Sequence, residues 1–361
     1  MNSETTLSEF KESYHDYTWR KVLFIIMIFA GLIILSGYSI TVSARGVSFV
    51  DGITAVWNHI SGIRPEYNTK DYWDDYVVWN NCMPRVIGAI VVGAGLAACG
   101  AAMQTVLNNP LAEPYTLGIS SGAVFGACLA IIMGFTVTGI GQYGIVANAF
   151  LFGLIPSVFL IILIGVMRGL SPVTMILCGT AISYFFGGLT TLMMSTTDDD
   201  TMYEAFRWEI GNLSRIGWDN LFLMVAGTAV CTFVIMYLAK YLNALALGDK
   251  SATGLGVDVD RVRYTILIAS TLIVAVLLSF TGIIGFVGLL APHMVRSIIG
   301  GDNKYVIPAS MCLGPLILLA ADTISRMLSG VNLPVGAVMM FIGAPIFLYL
   351  MIGSRSRRMI Y

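Results

Sequence analysis

The chain has 361 residues, of which 57% are hydrophobic and 11% charged, and its formal net charge is -1 at neutral pH. A soluble domain carries about 25% charged residues, so a large water-soluble domain is excluded, and so near-neutral a chain gives no electrostatic footprint for nucleic acid. Between Val86 and Thr197 the only charged residues are Glu113 and Arg168, so this stretch must face lipid or other membrane helices.

In chain order, Met1 to Arg20 is polar and holds Glu4, Glu9, Glu12 and Asp16. It lacks a basic leader and a small-residue cleavage site, so the apolar run that follows reads as a retained span, not a signal peptide. Apolar runs of spanning length, about 20 residues, occur near 22–42, 86–107, 116–138, 145–167, 173–195, 220–239, 305–327 and 333–353. The run from Tyr264 to Ile299 is too long for one span, and Gly282, Gly285, Gly288 and Pro292 divide it into a full span and a short one. The expectation is an all-α polytopic membrane protein with about ten transmembrane helices per protomer. It divides into an N-terminal segment 1–21, a single transmembrane domain 22–353 and a basic tail 354–361.

Placing the N-terminus inside puts thirteen of the twenty Lys and Arg residues on the inner side, which predicts that both termini are cytoplasmic in the plasma membrane. Two long polar loops then fall outside. The segment 43–82 is aromatic and acidic (Trp57, Tyr67, Asp71, Trp73, Asp74, Asp75, Trp79), and 196–220 opens with Asp198, Asp199 and Asp200. The Asp triplet reads as a solvated loop, because no further ligand pattern for a cation accompanies it. Cys82, Cys99, Cys128, Cys178, Cys231 and Cys312 form no CxxC pair and read as small apolar side chains, not as a disulfide frame or metal site. His293, alone, is likewise not a ligand pattern.

Four features within the spans carry information. Gly88, Gly93, Gly95 and Gly100, with several alanines, share one predicted helix, and Gly122 and Gly126 make a GxxxG step in the next; both patterns permit close backbone approach in lipid. In the run 173–195, Thr180, Ser183, Tyr184, Gly187, Thr191 and Met194 recur at helical spacing on one face. That stripe fits the wall of a solute path and fits interhelical hydrogen bonding equally well; it carries no charge, which argues against a proton relay. Leu242 to Arg263 is the one substantial polar block on the inner side, and Gly248, Gly254 and Gly256 break it into two short surface helices. Its GDKS lacks the second glycine and the preceding strand of a phosphate-binding loop. Pro110, Pro114 and Pro292 free backbone groups that lipid cannot satisfy, so these sites must be buried in protein or line a cavity.

Taken in order, MPRVIGAIVVGAGLAACGAAMQ, NNPLAEPYTLGISSGA, LNALALGDKSATGLGV, GIIGFVGLLAPHMVR, AADTISR and LPVGAVMMFIGAPIF closely resemble the FecCD family over roughly Met83 to Ile352. These are permease subunits of type II ATP-binding-cassette (ABC) importers for iron–siderophore complexes, haem and cobalamin. The resemblance implies the type II ABC importer permease fold, working as a homodimer with the solute path at its axis. It implies a cytoplasmic ABC ATPase dimer that holds the ATP and Mg, and an extracytoplasmic solute-binding protein. On that reading this chain binds no cofactor or metal and has no catalytic residue. Thr180, Ser183, Tyr184, Gly187 and Thr191 then line the translocation path, and Leu170 to Thr174, with Ser171, Pro172 and Thr174, resembles the cytoplasmic gate. Leu247, Gly248, Asp249, Ala252, Leu255 and Gly256 match the segment that couples to the ATPase. Arg85 and Arg326 match the family's outward-facing arginines that dock the binding protein, while Cys82 stands where some members carry another arginine. The implied solute is an iron chelate, a ferric siderophore or haem, with cobalamin as the alternative within the family and an ATP-independent secondary transporter as the alternative outside it.

Overall fold

A computed structural model describes residues 3–43, 45–137, 143–166, 171–328 and 333–358. The chain order begins with α1 (Ser3–Thr41), α2 (Phe49–Ile60), α3 (Lys70–Val77), α4 (Met83–Val106), α5 (Ile119–Met133), α6 (Gly144–Val166), α7 (Pro172–Ser195) and α8 (Asp199–Glu209). It continues through α9 (Trp218–Tyr237), α10 (Ala239–Leu245), α11 (Asp249–Gly254), α12 (Val259–Thr281), α13 (Val287–Ile299), α14 (Asn303–Met327) and α15 (Val335–Arg358). Eight of these helices are long and apolar enough to cross a membrane, and α5 and α13 are shorter apolar helices. Together they match the ten predicted runs. The divided run resolves as predicted, into the full-length α12 and the 13-residue α13.

Helix α4 is the centre. Every residue from Gly95 to Leu107 is buried, because the helix is apolar all round and α9, α12, α13 and α14 pack about it. In lipid such packing rests on van der Waals contact between close backbones. A Cβ at Gly93 would stand 2.5 Å from the Pro315 backbone of α14, and one at Gly100 would overlap the Gly288 carbonyl of α13. The predicted GxxxG step works the same way: Cβ atoms at Gly122 and Gly126 would each stand 2.5 Å from a carbonyl oxygen of α6, those of Phe152 and Asn148.

The backbone freed by prolines and glycines is satisfied inside the protein, as membrane depth requires. The segments that follow α8 and α12 pair through Ile283 N–H to the Glu209 carbonyl at 3.0 Å, Gly211 N–H to the Ile283 carbonyl at 3.0 Å and Asn212 N–H to the Thr281 carbonyl at 2.7 Å. Gly336 at the start of α15 joins them by donating to the Gly211 carbonyl at 2.9 Å. Tyr115 donates its hydroxyl to the Ile284 carbonyl at 3.2 Å, tying the NNPLAEPY segment to the same strip. Phe286, just before α13, adopts φ +67°, a conformation L side chains rarely take.

Both predicted outer loops are helical. Segment 43–82 folds into α2 and α3, capped by the Ser48 and Thr69 side chains. Asp198 accepts from the Thr201 N–H at 2.9 Å as the cap of α8, so the Asp triplet begins a helix. Asp199 and Asp200 fall in its first turn, where acidic side chains face the positive end of the helix dipole. Trp218 at the start of α9 donates to the Trp79 carbonyl at 2.9 Å, which binds the two capping regions into one end of the bundle.

Candidate functional site

Among the described residues the stripe on α7 lies on a largely uncovered face. Tyr184 is 79% exposed, Thr180 and Thr191 are exposed, and Ser183 and Gly187 are half-buried. The opposite face, with Met175, Gly179, Phe186 and Thr190, is buried; a Cβ at Gly179 would meet the Leu117 backbone at 2.8 Å. The hydroxyls of Thr180, Ser183 and Thr191 each donate to the carbonyl four residues earlier at 2.9 Å. Interhelical hydrogen bonding is therefore not what these groups do within the protomer. The stripe offers acceptor lone pairs, methyls and one aromatic ring; it carries no charge, and its free donor is the hydroxyl of the exposed Tyr184. Ser171 caps α7 by accepting from the Thr174 N–H at 3.2 Å, its hydroxyl 2.9 Å from that of Thr174. Pro172 takes the first helical position, where a missing N–H costs nothing. Leu170 and Arg168 lie outside the described residues.

Beside the C-terminal end of α8 is a cavity of about 520 Å³ whose lining includes Glu113, Tyr115, Ser120, Glu209, Phe286 and Met340. Burial pushes the Glu209 carboxyl up from its ordinary range. Sequence reasoning passed over Glu113 as a lone group. The signal was available: it is one of two charges between Val86 and Thr197, and a charge within so apolar a stretch is a candidate functional group.

At the opposite end, α10 and α11 form the two short helices expected from the polar block. Asn243 of α10 donates to Asp302 at 2.6 Å and accepts from the Asn303 N–H at 2.7 Å, which fixes α10 to the start of α14. Gly248, at φ +93°, turns the chain between the two helices. Leu247 is 66% and Leu255 67% exposed, so two apolar side chains stand out from a glycine-hinged knob. Asp249 pairs with the buried guanidinium of Arg263 at 3.0 Å. Ala252, expected on the contact surface, is fully buried instead, because α11 is too short to turn every residue outward; Gly256, at φ +80°, ends it.

Arg85 and Arg326 depart from their expected orientation. Both turn inward onto Asp322, which is fully buried: Arg85 Nη2 lies 2.8 Å from Oδ1 and Arg326 Nε 3.0 Å from Oδ2. Arg326 also donates to the carbonyls of Ser39 at 2.8 Å and Val42 at 2.6 Å. The physical reason is that Asp322, one turn before Arg326, is a buried charge that needs cations, and two are in reach. The triad joins the ends of α1, α4 and α14. Asp322 stood unremarked in the AADTISR motif, since its partner Arg85 is 237 residues away.

The cysteines are free thiols, three of them buried and three half-buried. Among the described residues no group of three His, Cys, Asp or Glu side chains is placed to hold a metal ion.

Comparison with known proteins places this architecture. An ABC transporter permease protein of Methanocaldococcus jannaschii is 39% identical over 355 residues, covering 96% of this chain and 99% of that protein. The hemin transport system permease protein of Yersinia pestis is 34% identical over 300 residues, covering 82% and 89%. Other relatives are named for import of cobalamin, molybdate and iron(3+)-hydroxamate. Among solved structures, an inward-facing metal-chelate type ABC transporter superposes with a TM-score of 0.79 at 27% identity, covering 91% of this chain and 98% of that one. The FecCD transport family matches residues 18–353, which extends the likeness beyond Met83 to include α1. The chain thus belongs to the FecCD transport family, a multi-pass ABC importer permease of all-α fold.

Proposed function

We propose that this permease translocates an iron chelate, a ferric siderophore or haem, across the cytoplasmic membrane, driven by a separate ATPase and fed by a binding protein. The observation that carries the reading is the uncharged stripe on α7, largely exposed on the protomer surface, whose free donor is the hydroxyl of Tyr184. Two protomers related by a two-fold axis would bring two such stripes face to face and enclose a path between them. A wall of Thr and Ser hydroxyls that bond their own helix, methyls and the phenols of Tyr184 holds a large chelate weakly, which suits passage, since a conducted solute must also leave. Recognition then falls to the binding protein. Names of relatives for hemin and iron(3+)-hydroxamate support an iron chelate; the relatives named for cobalamin make that corrinoid the second reading.

In this reading the end bearing α2, α3 and α8 faces the outside, and both termini are cytoplasmic. The α10–α11 knob sits in the ATPase, with Leu247 and Leu255 as its apolar contacts and Gly248 and Gly256 setting its shape. Closure of the ATPase dimer moves the knob, and the α7 pair alternates between outward- and inward-open, with the Ser171 to Thr174 turn at the inner mouth. The chain performs no chemistry itself.

The test is uptake into proteoliposomes holding this chain, its ATPase and its binding protein, with ferric siderophore, haem and cobalamin offered in turn. ATP-dependent uptake of a ferric chelate is the expected result. Uptake of cobalamin alone would replace the solute, and uptake that persists without ATP would replace the mechanism by secondary transport.

A further inference from the structure

A second cavity, of about 510 Å³, opens beside α8. It lies between α8, the end of α5, the start of α6 and the turn before α15, with Ile131, Ile145 and Pro334 in its apolar wall. Two arginines line it, Arg207 on α8 and Arg215 in the turn that follows. Among the described residues neither takes part in an ion pair. The acid in the lining is Glu204, which is exposed and pairs with neither arginine. The next acid along α8, Glu209, lines the other cavity. Two guanidiniums against one carboxylate leave this lining with an excess of positive charge.

Both arginines are held in place. Arg215 donates from Nη1 to the Trp208 carbonyl at 3.0 Å and from Nη2 to the Arg207 carbonyl at 2.6 Å, so it caps the last turn of α8. A guanidinium has five N–H donors, and these two bonds leave the others open. Arg215 stands 5.9 Å from the Trp208 ring and Arg207 5.8 Å from the Tyr203 ring, so each cation rests against an aromatic face. Burial, and after it the charge of Arg207, pushes the Arg215 guanidinium down to about 10; an anion between the two would relieve both. Helix capping explains Arg215 but not a second unpaired arginine beside it. The size of the cavity indicates the class of guest. Pockets of about 300–1,000 Å³ with an apolar wall and a few polar groups suit small molecules, and one carboxylate side chain reaching in would fill little of this one.

We propose that this cavity is an entry site for a small organic anion, whose carboxylate is held by Arg207 and Arg215. The inference rests on the importer reading and sharpens its solute: the chelate carries a free carboxylate, which sets it apart from one that is neutral overall. Capture takes place outside the uncharged stripe. Helix α8 follows closely on α7, so the anion passes from two fixed cations to a wall that has none. Positive charge at the mouth raises the local concentration of an anionic solute and its rate of entry, and the lack of charge farther along lets it move on.

The experiment uses the full chain in nanodiscs, with empty nanodiscs as the blank. Citrate, a small tricarboxylate, is titrated in parallel with trimethyl citrate, which has the same skeleton and no charge, and binding is read by calorimetry. The expected result is saturable binding of citrate with a dissociation constant below about 1 mM, and none of the ester. Arg207→Gln should weaken citrate binding about tenfold. Glu204→Gln, which removes the opposing acid, should strengthen it. Arg207→Lys keeps the charge but loses the planar fork, and should fall between Arg207→Gln and the wild type. Arg207 and Glu204 are exposed, so these replacements threaten no buried group. A wild-type chain that binds no citrate, or an Arg207→Gln chain that binds it as tightly as the wild type, overturns the proposal while ATP-driven uptake of a chelate still supports the importer. Citrate bound as expected, with no ATP-driven uptake of any chelate, overturns the importer reading instead and leaves the anion site standing.

Discussion

Helices α4 and α7 are the same length, 24 residues, and both carry several glycines, with alanines on α4 and threonines on α7. One is the most enclosed helix of the bundle and the other is open along a whole face. The difference lies in what their small residues meet. On α4, Gly93 and Gly100 meet backbone, that of Pro315 and of Gly288, and Gly88 and Gly95 meet packed side chains. On α7, a Cβ at Gly187 or Gly188 would have open space around it. A small residue in a membrane helix thus has two distinct settings, against a neighbouring backbone or on an open face, and composition alone does not separate them.

Paired substitutions break that comparison most directly. Gly100→Leu drives a side chain into the backbone of α13 and should cost about 3 kcal/mol or more, with loss of the monodisperse protein in size-exclusion chromatography. Gly187→Leu should leave thermal stability within about 0.5 kcal/mol of wild type, because nothing lies within reach. It should nonetheless lower ATP-driven uptake by about an order of magnitude, equivalent to about 1.4 kcal/mol on the barrier. Equal tolerance of both substitutions in uptake would show that the α7 face is not a path.

Next in size is the buried triad. Asp322→Asn leaves two largely buried guanidiniums facing each other, and should destabilise by about 3–5 kcal/mol, read as a lowered Tm in nanodiscs. Adding Arg85→Gln should recover part of that loss, since Arg326 keeps its carbonyl partners at Ser39 and Val42. The absence of any recovery would mean that Arg85 and Asp322 are not coupled.

A smaller structural effect with a large functional one is expected at the opposite end. Leu255→Asp changes an exposed side chain and should shift stability by no more than about 0.5 kcal/mol. If the knob docks in the ATPase, that change should abolish uptake while the ATPase keeps hydrolysing ATP. Ala252→Leu, at a buried position, should instead destabilise the fold.

The ten spans were legible because lipid leaves few options for an uncharged run about 20 residues long. Even the short α13 was readable, from Gly282, Gly285, Gly288 and Pro292. The α10–α11 pair was readable for the same reason, since Gly248 and Gly256 mark where the chain must turn. The α2–α3 unit was not, although Ser48 and Thr69 are ordinary capping residues, because its acids and aromatics fit a partner surface as well as a fold. The Arg85–Asp322 contact was hidden by sequence distance: an arginine before an apolar helix reads as outward-facing until its buried partner is known. The exposure of the α7 stripe was half legible, since periodicity gives a face but not what the face meets.

The smallest effect concerns the cap of α8. Thr201 holds the exposed Asp198 carboxyl below the usual carboxylate range, chiefly by its backbone N–H donating to the carboxylate. A depressed pKa means that the folded state favours the charged form, so this cap is fully present at neutral pH and is lost as pH falls through the lowered value. Amide exchange of Thr201 and Met202 should therefore quicken, relative to the intrinsic rate, only in acid below the ordinary carboxylate range. Asp198→Asn keeps an acceptor at the cap but cannot ionise, and should remove that dependence. If exchange in α8 follows pH identically in the variant, the helix is held by the Trp208 side of its packing rather than by its cap. The outer end would then be ordered from the membrane outward, as α4 is, and not from its own termini.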